Sequence, residues 1–399
     1  MHLVLVIDDY LPYSTRVAAK MFHELATTLV SYGYYVTVIT PIEEQKEKLT
    51  KIRLDGVNVW RFSSGAIKNT SKVRRAINES MLSLRAWNAI SNEIDRETFD
   101  GIVYYSPSIF FGYLIGKIKS RCKCNSYLIL RDLFPQWIVD AGLIKKGSLV
   151  EKYFRIFEAK SYQQADIIGL MSENNLSIFN ELTDNKYPTE VLRNWAELRS
   201  HNVPASDNSI RAKLSLQNKV IFFYGGNIGH AQDMGNLMRL TRKMSHHSSA
   251  HFLYIGQGDE VTLINELAEK WQLTNFTYLP SVSQSEFKDI LAEVNVGLFS
   301  LSAMHTAHNF PGKLLGYMVQ SLPILGSVNT GNDLQGLINS HHAGLIAVNG
   351  EDDILYENAV SFLDASKRKK FGENAYQLLK EQFSVESAAQ AIISRIRKS

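Results

Sequence analysis

Apolar residues in the first half of the chain fall into short continuous runs, separated by stretches where they recur every three or four positions. Leu3-Val4-Leu5-Val6-Ile7 is one such run, as expected of a parallel strand buried on both faces. It leads into Asp8-Asp9 and a loop through Thr15 that contains Pro12. Val17, Met21, Leu25 and Leu29 then mark one face of a helix, which Gly33 ends before a second strand over 36–39. This is a βαβ unit with an expected right-handed crossover. Further strands are predicted over 57–62, 101–105, 127–130, 167–171 and 190–192, with helices over 72–92 and near 149–164.

A polar stretch over 200–208 reads as a linker, and the pattern then restarts. Lys219-Val220-Ile221-Phe222-Phe223-Tyr224 runs into Gly225-Gly226-Asn227-Ile228-Gly229. Strands are predicted over 251–256, 276–279, 296–299 and 323–326, with a helix over 312–320 and helices filling most of the remaining chain. The pattern predicts an α/β protein of two successive doubly wound domains, 1–198 and 217–380, joined by a linker over 199–216. In such sheets ligands bind beyond the carboxyl ends of the strands, so the loops after strands are where chemistry is expected.

Length and composition agree. A chain of 399 residues exceeds one compact core. With 45% hydrophobic and 21% charged residues it falls among ordinary globular proteins. A formal charge of +3 gives no global reason to expect nucleic acid. Cys122 and Cys124 are too few for a disulfide framework, and zinc would need other ligands nearby; they read as reduced thiols. The first apolar run, Leu3 to Ile7, leads straight into Asp8-Asp9, so no signal peptide is expected, and no run approaches a membrane span. A cytoplasmic protein is expected, with attachment to a membrane surface left open.

Several post-strand loops carry chemistry. In the cluster Gly225 to Gly229, missing side chains would let backbone amides approach a phosphate, and the following helix N-terminus would add partial positive charge. His230 and Gln232 offer side-chain donors; a tight turn needing positive φ explains the same glycines. In Asn309-Phe310-Pro311-Gly312-Lys313, Pro311 suits a helix start, Gly312 clears space and Lys313 offers a cation to a diphosphate. A capped helix with a solvated lysine is the alternative. His305 and His308 flank this loop, at a spacing that does not compel a metal site.

In the first half, Asp8, Asp9 and Arg16 surround a post-strand loop, and Asp132 lies in another. An acid at either place would orient an acceptor hydroxyl or move its proton. Asp9 as a helix cap or partner of Arg16, and Asp132 paired with Arg131, are the structural alternatives. Lys68, Lys72, Arg74, Arg75 and Arg85 accompany Val73, Ile77, Met81 and Leu84 at near-helical spacing. That basic amphipathic pattern suits an anionic membrane surface, or a solvated helix packed on the sheet.

Taken in order, these loops resemble family 4 of the GT-B glycosyltransferases over nearly the whole chain. The resemblance rests on Asp8-Asp9-Tyr10-Leu11-Pro12, Arg131-Asp132-Leu133-Phe134-Pro135, Asn194-Trp195, Gly226-Asn227-Ile228-Gly229, Ile255-Gly256-Gln257-Gly258, and Pro311-Gly312-Lys313 followed by Tyr317-Met318. Asp-Leu-Phe-Pro with Asn-Phe-Pro-Gly-Lys is similar to the bacterial O-antigen and capsule transferases that handle N-acetyl-L-fucosamine. The resemblance implies two Rossmann-like domains facing a central cleft, with segment 381–399 returning to the first domain. It implies a donor site in the second domain, formed by Gly226, Asn227, Gly229, Gln232, Asn309, Pro311, Gly312 and Lys313, and an acceptor site in the first, with Arg16 on its wall. Asp9, Asp132 and His308 would be the catalytic residues.

A UDP-sugar would be donor substrate rather than cofactor, no metal would be needed, and anomeric configuration would be retained. An undecaprenyl-diphosphate-linked saccharide at the inner membrane surface would be the acceptor. No Asp-x-Asp occurs, in accord with a metal-independent enzyme. Many family members carry two glutamates with seven residues between them, where this chain has His308 and Gly316, and an arginine–lysine pair where it has His230 and Gln232. A nucleotide-sugar epimerase of the same form, or a noncatalytic subunit of polysaccharide assembly, are the competing functions. A dehydrogenase is disfavoured by the lack of a dinucleotide fingerprint after the first strand.

Overall fold

The computed structural model describes residues 1–14, 16–67, 70–106, 108–140, 142–198, 200, 209–303 and 311–397. The chain divides into two compact units, Met1–Arg193 with Val385–Ser399, and Asn194–Ser384. Each is a largely parallel α/β sheet with its own core.

The first unit holds strands β1 (His2–Val6), β2 (Tyr35–Ile42), β3 (Leu49–Leu54), β4 (Val57–Ser63), β5 (Gly101–Ser106), β6 (Asn125–Leu130), β7 (Ile167–Leu170) and β8 (Thr189–Val191). Their order is β3-β4-β2-β1-β5-β6-β7-β8, parallel except for the β3–β4 hairpin. β3 was not anticipated. Its alternating Lys51 and Arg53 face solvent, as suits an edge strand, and so mask the apolar signal. The helix expected over 72–92 is two helices, Lys72–Ser80 and Leu82–Ile90. The Ser80 hydroxyl bonds back to the Ala76 carbonyl at the break, an interaction that competes with the helical ladder.

The second unit holds β9 (Val220–Asn227), β10 (Ala250–Gln257), β11 (Phe276–Leu279), β12 (Val296–Ser300), β13 (Ile324–Val328) and β14 (Gly344–Val348). All pairings are parallel, in the order β11-β10-β9-β12-β13-β14. β14 replaces part of the helical run expected near the end; a five-residue apolar segment does not declare its period. Residues 201–208 of the expected linker lie outside the described residues. Ile210–Lys213 is a short helix capped by Ser209 and fastened through Arg211 to Glu293 and Asn295.

The helix Val385–Ile396 packs against Val17–Ser31 and over β5 and β6 in the first unit. A side chain at Gly101 would press on Ile396. Arg395 pairs with Glu190 at 2.7 Å, and Arg397 donates to the Tyr34 hydroxyl at 2.8 Å. Among the described residues no helix is long and apolar enough to cross a membrane.

In each sheet the chain reverses its direction of travel once, between β1 and β5 and between β9 and β12. Such switch points leave a crevice at the strands' carboxyl ends.

Candidate functional site

At the second unit's switch point, Gly225, Gly226 and Asn227 are not a loop but the last residues of β9, paired in register with Ile255, Gly256 and Gln257. β12 matches β9 only at Phe222 and Phe223, so past them β9 has no strand partner on that side. Gly225 N–H donates to the Tyr317 hydroxyl at 3.3 Å. Gly226 has φ of +122°, which side-chain-bearing residues rarely adopt. A Cβ on Gly256 would fall 1.8 Å from the Gly226 carbonyl oxygen, so the two strand ends can approach only with glycine there.

Lys313 opens the helix Lys313–Val319, just after Pro311 and Gly312. It is half-buried rather than a solvated surface cation. Its ammonium sits 3.6 Å from the centroid of the buried Tyr224 ring, and a Cβ on Gly226 would lie 3.6 Å from its Nζ. Among the described residues no carboxylate pairs with it. Burial pushes its pKa down to about 7, because the charged form is poorly hydrated there.

The helix after the glycines starts late. A short 3₁₀ turn over His230–Gln232 and Asp233, at φ +46°, precede Met234–Lys243. The Asp233 carboxylate caps that helix, and Met234 N–H donates to Glu260 at 2.9 Å. The helix N-terminus expected to receive a phosphate is thus already supplied with carboxylates. Gln232 accepts from the Asn227 amide at 2.8 Å, and His230 is exposed beside Glu260. Gly229 is packed so closely that a Cβ would meet Asn227 and Asp259. His305, His308 and Asn309 lie outside the described residues. A Cβ at Gly316 would lie 3.6 Å from Leu291, in ordinary contact with an apolar neighbour.

A cavity of about 450 Å³ opens beside these strand ends, walled by Gly226, Asn227, Gln257, Ser281, Phe287 and Lys288 among others. Ser281, Phe287 and Lys288 escaped sequence reading. They come after the short strand β11, and the rule that ligands lie past strand ends would have pointed to them.

In the first unit a cavity of about 740 Å³ gathers Asp8, Asp9, Arg16 and Asp132, together with Arg61 and Trp137. Arg16 lies 3.7 Å from Asp8 and 3.4 Å from Asp9, and the Ser14 hydroxyl donates to Asp9 at 2.8 Å. Burial raises the pKa of Asp8, opposed by Arg16. Desolvation also raises that of Asp132. The alternative for Asp132, a pair with Arg131, does not form among the described residues: the buried Arg131 guanidinium donates to the carbonyls of Leu192 and Arg193. Arg61, not anticipated, is buried under the Tyr13 ring and holds the Leu11 carbonyl, which fixes the loop after β1.

Solved structures resemble the chain along nearly its whole length. Escherichia coli trehalose-6-phosphate protein bound with UDP-2-fluoro glucose superposes with a TM-score of 0.69 at 11% identity, covering 100% of this chain and 99% of that one. WaaG, a glycosyltransferase involved in lipopolysaccharide biosynthesis, gives 0.59 at 13% identity and 98% coverage of both. The chain has the GT-B fold.

Among sequence relatives of this GT-B chain, a probable glycosyltransferase of Pseudomonas aeruginosa, WbjE, is 24% identical over 218 residues. That match spans 54% of each chain, about half the relative's length. A putative colanic acid biosynthesis glycosyl transferase of E. coli strain K12, WcaI, is 22% identical over 300 residues, 71% of this chain and 72% of its own. No family model matches.

Proposed function

We propose that the protein is a retaining, metal-independent glycosyltransferase of O-antigen or capsule assembly, with a UDP-linked sugar as donor and a lipid-linked saccharide as acceptor. The observation that carries this reading is Lys313, a half-buried cation without a carboxylate partner among the described residues, beside bare glycine backbone at the end of β9. A diphosphate supplies the missing anion. Lys313 stabilises the charge that develops as the bond from the anomeric carbon to the diphosphate oxygen breaks. The resemblance to family 4 narrows the sugar to N-acetyl-L-fucosamine or a related N-acetylhexosamine, and the lipid to undecaprenyl diphosphate at the inner membrane surface. UDP-2-fluoro glucose on the E. coli neighbour supports the base.

The first unit holds the acceptor. Its hydroxyl oxygen bonds to the anomeric carbon while its proton passes to Asp132, whose desolvation makes it a stronger base than an ordinary carboxylate. Asp9, steadied by Ser14 and Arg16, orients the acceptor.

The test is turnover of UDP-N-acetylhexosamines with and without an undecaprenyl-diphosphate-linked saccharide. Sugar transfer that requires the acceptor supports the proposal. Conversion of the nucleotide sugar without acceptor would instead show an epimerase, and donor binding with no turnover would show a noncatalytic subunit.

A further inference from the structure

The helix Leu149–Gln164 has two apolar faces. One packs inward: Phe154 and Phe157 meet Phe110 and Phe134, and Glu151, Glu158 and Tyr162 are buried with it. The other is turned to solvent. Leu149, Tyr153 and Ile156 stand at i, i+4 and i+7 with Lys160 next in line, and Val150 beside them. Leu149 is 83% exposed and Ile156 54%. A helix that needs burial on one side gains nothing from an apolar second side in water.

The stripe does not stand alone. On the neighbouring helix pair, Ile77, Met81 and Leu84 form a second exposed i, i+4, i+7 row. The Tyr153 and Ser80 hydroxyls are in hydrogen-bond contact, so the two rows adjoin. Leu143, 71% exposed, precedes the helix.

Along the helix's own segment the exposed charge has one sign. From 142 to 160 the exposed ionic side chains are Lys145, Lys146, Lys152 and Lys160. The two carboxylates in that span, Glu151 and Glu158, are buried and bound by Arg155. Exposed apolar residues fringed by lysines, with the acids withdrawn, complement an anionic lipid surface. A protein partner of ordinary composition would not call for this one-signed fringe.

We infer that Leu149, Val150, Tyr153 and Ile156, fringed by Lys145, Lys146 and Lys152, seat the first unit on an anionic bilayer. With the row Ile77, Met81 and Leu84, the surface spans two adjoining helical elements. On the helix's inward side Phe154 meets Phe134 edge to face, and Phe134 meets the half-exposed Trp137 that lines the acceptor cavity, so the same helix braces that cavity's wall. This inference rests on the lipid-linked acceptor proposed above and names the face that meets the lipid.

Flotation of the full chain with vesicles tests it, using phosphatidylcholine alone and with phosphatidylglycerol. Binding is expected to the anionic vesicles, to weaken with salt, and to fall about fivefold for each lysine lost in Lys145→Gln and Lys146→Gln. L149S/I156S should abolish it. UDP thermal shifts run in parallel on every variant should be unchanged, which shows folding and separates this inference from the donor-site reading. Absence of binding by the unaltered chain, equal binding to both vesicle types, or binding untouched by L149S/I156S would overturn the inference. A concentration-dependent dimer abolished by L149S/I156S, without flotation, would also overturn it and assign the face to a second copy.

Discussion

The two switch points answer the same topological invitation with opposite electrostatics. In the first unit the crevice wall is rich in charge that is already matched, Arg16 with Asp8 and Asp9, and Arg75 with Glu79. In the second, the strand ends carry glycines and uncharged side chains, and Lys313 rests on an aromatic ring with no carboxylate paired to it among the described residues. A matched wall suits a neutral hydroxyl-bearing ligand that must be oriented. An unmatched buried cation suits a ligand that brings its own negative charge, since burial of an ion is unfavourable until it is paired.

The largest effect expected from this contrast is at Asp132. Asp132→Asn keeps the side chain's shape and removes its basicity. Turnover with saturating acceptor should fall by about 10²–10⁴-fold, while UDP affinity stays unchanged in calorimetry. A loss of UDP affinity instead would break the division of roles between the units.

Next comes Lys313→Ala, with a reduction in kcat of about 10²–10³-fold. The free protein should tolerate it, and melt no lower, because the lysine is strained by desolvation rather than used in packing charge against charge. A lower melting temperature with kcat intact would recast Lys313 as structural.

A smaller change is expected for Gly226→Ala. Its φ of +122° penalises any side chain by roughly 1–3 kcal/mol, read as a lower melting temperature, and UDP affinity should drop with it. A variant with lower stability but full affinity would remove Gly226 from the donor site.

The pH dependence of UDP binding is the mildest and the most diagnostic. Lys313 has its pKa lowered to about 7 in the free protein, and a bound diphosphate favours the ammonium form, raising it. Binding then takes up a proton above pH 7, and affinity should weaken as pH rises from 7 to 9, by at most about tenfold per pH unit. Below pH 7 the lysine is already charged and this dependence should flatten. Lys313→Ala should abolish it.

Much of the fold was legible because buried parallel strands announce themselves as continuous apolar runs; β1, β6, β9 and β12 are of this kind. β3 was not, since its solvent face dilutes the apolar signal, and the break at Ser80 depends on a hydroxyl's choice of partner. At the sites, sequence supplied the acids and Lys313 through their place after strands. It did not supply Tyr224 under the ammonium, nor Arg61 under Tyr13, because those contacts join residues 89 and 48 positions apart. It also placed a phosphate-binding helix start directly after the glycines. In the folded chain that start is set back by a turn and held by Asp233 and Glu260. One-dimensional spacing cannot report a carboxylate arriving from another loop.

Isothermal titration of UDP into the unaltered chain and into Lys313→Ala, at pH 7 and pH 9, tests whether Lys313 holds a diphosphate. The unaltered chain should bind UDP less tightly at pH 9 than at pH 7, and Lys313→Ala should bind at least about tenfold more weakly at pH 7 and without pH dependence. Equal affinity of the two proteins at both pH values, or no UDP binding by the unaltered chain, would contradict it.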